Sequence, residues 1–338
     1  MNVKENFSLK HHNTFGLDVK TKFYAEVKGD DELKEILEAK SFHDELKTIL
    51  GGGSNVLFTK DFDGLIIEIL SDEMKITFED NDRAVVEADA GVVWHNLVLY
   101  CVERNLGGIE NLSLIPGKTG AAPMQNIGAY GEELKDSFVS LDGVFIESGE
   151  EKTFKKDECS FGYRDSIFKH ELKNQFVITK IRLKLNKNPK INFSYKAIQD
   201  EINKSNLKIN SIKDMSNLVC KIRRSKLPDP NKTGNAGSIF KNPEIRLEKF
   251  EKLKIEYPDI IGYPLQNGRV KLYAGWLIEE AGLKGIRKGN VGTHEKQALV
   301  IVNYGNATGE EIVEFKDSIK NKIFEKFGIL LEEEVNVI

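Results

Sequence analysis

Four loops carry the residues whose types and spacing can do chemistry. The first is Gly51-Gly52-Gly53-Ser54-Asn55, directly after a strand-like run. Three glycines let a backbone approach a phosphate closely and turn its N–H groups toward the anion, although the same string also makes an ordinary turn. The second runs from Ile115-Pro116-Gly117-Lys118-Thr119-Gly120-Ala121-Ala122-Pro123 to Gln125-Asn126-Ile127-Gly128-Ala129-Tyr130-Gly131. Small residues and amides with almost no charge suit a wall around a flat, hydrogen-bonding ligand; the bland alternative is a plain Ω-loop. The third, Phe161-Gly162-Tyr163-Arg164-Asp165-Ser166, sets one arginine between an aromatic ring and a carboxylate, where a surface ion pair of little worth is the alternative. The fourth, residues 231–243, centres on Gly234-Asn235-Ala236-Gly237-Ser238-Ile239-Phe240. No histidine stands near Ser238 to make it a nucleophile, so a proton-donor role is the sharper reading, against a serine that only forms a turn.

Other chemistries are excluded by single positions. Gly117-Lys118-Thr119 looks like the end of a phosphate-binding P-loop, but Leu112 stands where its first glycine belongs. A dinucleotide fingerprint starting at Gly51 needs glycine at 56, where Val56 stands. His11, His12, His43, His95, His170 and His294 form no metal-ligand spacing, so no metal is expected. The three cysteines, Cys101, Cys159 and Cys220, include no CxxC pair, which argues for a reducing cytoplasm rather than a disulfide scaffold. Basic residues number 49 against 53 acidic ones, a net charge of −4, so no nucleic-acid partner is expected. The first thirteen residues lack the apolar stretch of a secretory signal, and no apolar run approaches the roughly 20 residues of a membrane span.

The elements that must position these loops read as α+β. Strands are expected at 23–27, 46–50, 64–70, 74–79, 84–88, 138–145, 153–154 and 176–185, with the middle of the chain rich in antiparallel pairing. Asp30 is expected to cap a helix bearing Leu33, Ile36 and Leu37. Trp94, Leu97, Val98, Cys101 and Val102 fall on one helical face that Gly107-Gly108 would end. Lys226-Leu227-Pro228-Asp229-Pro230 breaks any helix and marks a boundary. Beyond it, helices are expected at 245–257 and 274–281. Thr308 and Glu311 match a capping box for a helix burying Ile312, Phe315, Ile319, Ile323 and Phe327, and the tail 329–338 alternates like a strand.

Taken in order, these motifs resemble one family over nearly the whole length: the UDP-N-acetylenolpyruvoylglucosamine reductases. The resemblance starts at Asn13-Thr14-Phe15-Gly16 and passes through all four loops and Lys226-Leu227-Pro228-Asp229-Pro230. It continues through Ala274-Gly275-Trp276-Leu277-Ile278-Glu279 and Gln297-Ala298-Leu299-Val300 to Leu331-Glu332-Glu333-Glu334-Val335. Each motif alone is weak; their joint order is specific. It implies a two-part FAD-binding half of the vanillyl-alcohol-oxidase type (1–70 and 71–220), an α+β substrate-binding domain (221–328), and a C-terminal strand (329–338) returning to the active site. FAD is expected to be non-covalent, held by Gly51, Gly52, Gly53, Ser54 and Asn55 and by Pro116, Gly117, Gly120, Ala121, Gln125, Asn126, Gly128 and Ala129. Ile191-Asn192-Phe193-Ser194-Tyr195 matches the loop of one subtype, making Tyr195 a lid residue over the substrate's diphosphate.

The resemblance further implies NADPH as reductant and UDP-N-acetylglucosamine enolpyruvate as substrate, acted on by a monomer. Ser238 matches the proton donor, Arg164 and Glu334 the pair that stabilises the enolate, and Lys226, Asn242 and Gln297 substrate contacts. Of the basic run Lys221, Arg223, Arg224 and Lys226, which suits an anionic substrate, Lys221 and Arg223 are read as a solvated helix face. Two departures stand out: Lys118-Thr119 where the family has small or β-branched residues, and Glu333 where it has proline. Two rivals are weighed. A flavin oxidase that tethers its cofactor through histidine finds no matching histidine here, and a catalytically dead flavoprotein would lack Arg164, Ser238 or Glu334.

Overall fold

The computed structural model describes residues 2–338, and the chain forms two compact units. One holds the N-terminal residues up to Phe7, Thr21–Gly52 and Phe62–Ser225; the other holds Ser8–Lys20, Gly53–Asp61 and Lys226–Ile338. Residues 8–20 and 53–61, from the segment read as 1–70, thus group with the C-terminal part of the chain.

The first unit contains two sheets. In the smaller, the strand Phe62–Ile69 runs parallel to Lys20–Val27 on one side and Lys47–Leu50 on the other. Leu65, Ile66 and Ile67 are fully buried, as expected for a parallel strand covered on both faces. The helix Asp30–Glu38 lays Leu33, Ile36 and Leu37 on this core. Asp30 is not its cap: Gly29 takes that position without a side-chain bond, and Asp30, Asp31 and Glu32 instead face the positive end of the helix dipole. The larger sheet has five antiparallel strands in the order Glu151–Lys155, Phe138–Phe145, Phe176–Asn186, Arg83–Asp89, Met74–Glu79. The helix Trp94–Glu103 buries the predicted face against it. It ends before Gly107-Gly108, at Asn105, whose left-handed φ of 54° turns the chain.

Of the last two helices of this unit, one was not expected and the other only at its basic end, around Lys221 and Arg223. Lys196–Ser205 and Ile212–Lys226 pack Ile198, Met215, Leu218, Val219 and Ile222 into a cluster of their own, with Tyr130 and Tyr195 against it.

In the second unit the helix Gly309–Phe327 has the predicted cap. Thr308 Oγ1 accepts from the Glu311 amide at 3.2 Å, and the Glu311 carboxylate accepts from the Thr308 amide at 2.8 Å. The helix expected at 245–257 starts late, as Leu247–Glu256. Ile245 belongs to the strand Glu244–Arg246, because pairing with Arg269–Leu272 outweighs its helical spacing. In the tail, Asn336–Val337 forms a strand, parallel to Val56–Leu57.

One short N-terminal stretch organises this unit. The Thr14 amide donates to the Gly53 carbonyl at 3.1 Å, and the Thr14 carbonyl accepts from the Asn235 amide at 2.9 Å. A Cβ at Gly53 would lie 2.0 Å from the His12 carbonyl oxygen, and one at Gly234 would lie 2.1 Å from that of Phe15. Neither distance is compatible with a side chain. Gly234→Ala is therefore expected to lose about 3 kcal/mol or more of stability, because backbone would have to move. Gly237→Ala, at a φ of +71° but with nothing within 4 Å, should lose only the strain of a left-handed residue, about 1 kcal/mol. Urea unfolding of the two variants measures the difference, and equal losses would remove the Phe15 contact as the cause.

Candidate active site

In the first unit the strand Lys47–Leu50 delivers Gly51 and Gly52 against the second glycine-rich loop. A Cβ on Gly52 would sit 3.0 Å from Gly117 Cα, and one on Gly51 would sit 3.4 Å from the Ala121 methyl. Beside this contact lies a cavity of about 120 Å³, walled by Leu50, Gly51, Lys118, Gly120, Ala121 and Phe176 among others. Thr119 is fully buried, and its hydroxyl is one of two buried side-chain groups left without a protein partner among the described residues. Small walls, a narrow cleft between two backbones and an orphaned hydroxyl in the loop fit a flat cofactor held largely by main chain.

The same loop is bonded to the arginine turn through Asn126. Asn126 adopts a left-handed φ of 43° and is fully buried. Its amide nitrogen donates to the Gly162 carbonyl at 2.9 Å and to Glu133 at 3.0 Å, and its oxygen accepts from the Lys135 amide at 2.9 Å. The Asn126 side chain therefore ties loop to loop, and its influence on a ligand runs through the shape it imposes. The turn 162–165 closes through the Gly162 amide and the Asp165 carbonyl at 3.0 Å. Arg164 sits in that turn at a φ of 54°, a costly conformation for a long side chain. Its guanidinium donates to the Gly128 carbonyl at 2.7 Å and stands over the Tyr163 ring. Asp165 pairs with His170 at 2.8 Å.

Tyr195 precedes the helix Lys196–Ser205, its ring edge-on to Tyr130 at 5.4 Å. Lys221 is exposed and pairs with Glu201 at 2.8 Å, as a solvated face requires. Arg223 departs from that reading. It is drawn inward, where its Nε donates to the Leu114 carbonyl at 3.2 Å. Burial, and after it the charge of Arg164, push its acid dissociation below the ordinary arginine range. The sequence signal was present: Ile212, Met215, Val219 and Ile222 are buried at helical spacing, and Arg223 adjoins that face.

The second unit gathers the serine loop and the C-terminal glutamates. Ser238 is half-buried and pairs with Val300 as an antiparallel bridge, with the Ile239 amide on the Leu299 carbonyl at 2.9 Å. The tail lies along the other edge: the Glu334 amide donates to Ile239 and the Lys241 amide to Glu332, both at 2.9 Å. Asn55 Nδ2 donates to the Glu334 carbonyl at 3.1 Å, so the glycine loop's last residue holds the glutamate strand. Asn242 Oδ1 accepts the Ala274 amide at 3.0 Å and so opens the helix Ala274–Glu280. Gln297 lies beside that helix, its Oε1 3.5 Å from where a Cβ on Gly275 would be. Lys226 is exposed. Gly53 to Asn55, Ser238, Asn242, Gln297, Lys226 and Glu334 thus share this unit, while Gly51, Gly52, the second loop, Arg164 and Tyr195 belong to the other. Among the described residues no group of acids, histidines or cysteines could hold a metal, and no helix is long and apolar enough to cross a membrane.

Two family models match the chain: an FAD binding domain over residues 21–155 and the C-terminal domain of UDP-N-acetylenolpyruvoylglucosamine reductase over residues 229–338. Curated proteins named UDP-N-acetylenolpyruvoylglucosamine reductase align end to end. That of Flavobacterium johnsoniae is 51% identical and that of Amoebophilus asiaticus 47%, each over 100% of both chains. The chain belongs to the UDP-N-acetylenolpyruvoylglucosamine reductase family. The Pseudomonas aeruginosa member is 42% identical, over 100% of this chain and 99% of its own. The crystal structure of the reductase from Thermus caldophilus shares the fold, with a TM-score of 0.67 at 23% identity over 100% of this chain and 99% of that one.

Within this reductase, the run Glu332-Glu333-Glu334 is divided by the helix Gly309–Phe327. One oxygen of Glu333 accepts from Lys316 and from Lys320, each at 2.7 Å. Lys316 is itself buried and also meets Asp317 at 2.6 Å. Burial opposes ionisation of Glu333, yet the two lysine bonds bring its acid dissociation down from the ordinary 4.5 to about 2. Glu333 is therefore a latch that fixes the strand carrying Glu334, and Lys316 and Lys320 are functional neighbours that sequence reading missed. Below the unfolded value the unfolded chain takes up a proton that the folded one refuses, so the latch's stabilisation is present above pH 4.5 and fades as pH falls toward 2. The stability difference between wild type and Glu333→Gln should follow that course in urea titrations across pH 2.5–7. A difference that does not change with pH would remove the latch.

Proposed function

We propose that this chain catalyses the NADPH-dependent reduction of UDP-N-acetylglucosamine enolpyruvate to UDP-N-acetylmuramate in cytoplasmic peptidoglycan precursor synthesis, as a monomer with non-covalent FAD. The observation that carries the reading is the pairing of Ile239 with Glu334, which keeps the serine loop and the glutamate strand adjacent in one unit. When bound, FAD supplies the two-electron carrier, accepting hydride from NADPH and releasing it to the enolpyruvyl β-carbon.

The residues of the chain handle charge and protons around that transfer. Arg164, its guanidinium already fixed on the Gly128 carbonyl, holds the substrate carboxylate and offsets the negative charge that gathers there as an enolate. Glu334 is the second enolate-stabilising residue that the family resemblance implies. Ser238 gives its hydroxyl proton to the α-carbon. A serine hydroxyl is a weak acid, and its constrained backbone between Gly237 and the Val300 bridge supplies position rather than acidity. Tyr195 closes over the diphosphate, with Lys226, Asn242 and Gln297 as further contacts to the anionic nucleotide sugar. Gly51 to Asn55 and residues 116–129 hold the cofactor.

Ser238→Ala separates these roles. Reduction of the bound flavin by NADPH should stay near the wild-type rate, because no proton goes to substrate carbon in that half-reaction. Reoxidation by the enolpyruvyl substrate should slow by about 10²–10⁴-fold, the range for loss of a positioned general acid. Stopped-flow absorbance of each half-reaction decides it. Equal slowing of both would make Ser238 a residue that shapes the flavin site, and no slowing would leave it without a role.

A further inference from the structure

Lys118 stands in the middle of the second glycine loop and lines the cavity beside Gly51. Its ammonium donates to Glu68 at 2.8 Å and to the Ile69 carbonyl at 2.9 Å, with only 15% of its side chain and 12% of that of Glu68 exposed. The other Glu68 oxygen accepts from the Tyr24 hydroxyl at 2.7 Å. Burial and then Glu68 push the Tyr24 hydroxyl above its ordinary range, so it remains a donor throughout.

The placement of this chain of bonds gives it a consequence. Glu68 lies in register with Leu50, the residue immediately before Gly51. The loop bearing Lys118 is held on one side by main chain, Thr119 to Val92 at 2.8 Å and Gly120 to Ala90 at 2.9 Å. On the side facing the first glycine loop, the Lys118 ammonium ties it to the end of the strand Phe62–Ile69. Lys118 thus spans from one cofactor wall to the strand that registers the other.

We propose that Lys118 and Glu68 are a positioning pair for FAD, setting the separation between Gly51-Gly52 and the 117–121 loop through their ion pair rather than by touching the cofactor. This rests on FAD lying between the two loops. A buried pair of this kind is sensitive to loss of either partner, and residues joined in one interaction are non-additive when both are changed.

The test is FAD affinity of the full-length apoprotein, followed by flavin fluorescence at a temperature where circular dichroism shows every variant folded. The variants are Lys118→Met, Glu68→Gln and the double substitution. Each single change should weaken FAD binding about tenfold, and the double change should be no weaker than the weaker single. Additive losses, an effect of Lys118→Met alone, or unchanged affinity in both singles would each overturn the proposal. A shift in melting temperature with unchanged affinity would do the same, by reducing the pair to a structural tie. Gly52→Val separates failure of the pair from failure of the site. If it binds FAD normally, the cofactor does not lie between the loops; if it loses FAD while the pair variants keep it, the pair is wrong and the site stands.

Discussion

Two glycines, Gly53 and Gly234, lie on one stretch of main chain, 12–15, at a distance that admits no side chain. The rest of the second unit depends on that contact. Gly53 begins the half of the first loop that ends in Asn55, and Gly234 begins the loop that ends in Ser238. Because both touch the same backbone, with Thr14 bonded to Gly53 on one side and Asn235 on the other, the first glycine loop and the serine loop cannot move independently. Asn55 extends the constraint to Glu334, and Glu333 anchors the same strand on a helix. The proton-donor role proposed for Ser238, a weak acid, requires a fixed position, and this set of close main-chain contacts supplies one.

Charge is handled in the same spirit in the first unit. Arg164 is presented by a left-handed turn, and its guanidinium is fixed on the Gly128 carbonyl. Its neighbour in sequence, Asp165, is directed to His170. Lys118, by contrast, is matched by a carboxylate.

What could be read from the sequence were features that complete themselves within a few residues. The Thr308–Glu311 box, the helix face from Trp94 to Val102 and the strand runs all formed as their local spacing implies. The order of glycine loops was enough to reach the family, because close backbone approach admits so few alternatives to glycine. What stayed hidden depended on partners distant in the chain. Ile245 became strand because Val270 pairs with it. Arg223 was read as solvated because nothing nearby announces Leu114 as its acceptor. The distinct roles of Glu333 and Glu334 rest on Lys316 and Lys320, which no motif links to them. The helix Ile212–Lys226 was read only as a solvated face at its basic end, and the apolar spacing of its earlier turns was passed over.

The reaction itself is tested most directly by one anaerobic measurement. The flavin of the wild-type protein is reduced with one equivalent of NADPH, and UDP-N-acetylglucosamine enolpyruvate is then added while the flavin absorbance is followed. The account predicts rapid return of the oxidised spectrum with one equivalent of UDP-N-acetylmuramate formed. A flavin that stays reduced until oxygen is admitted would contradict it.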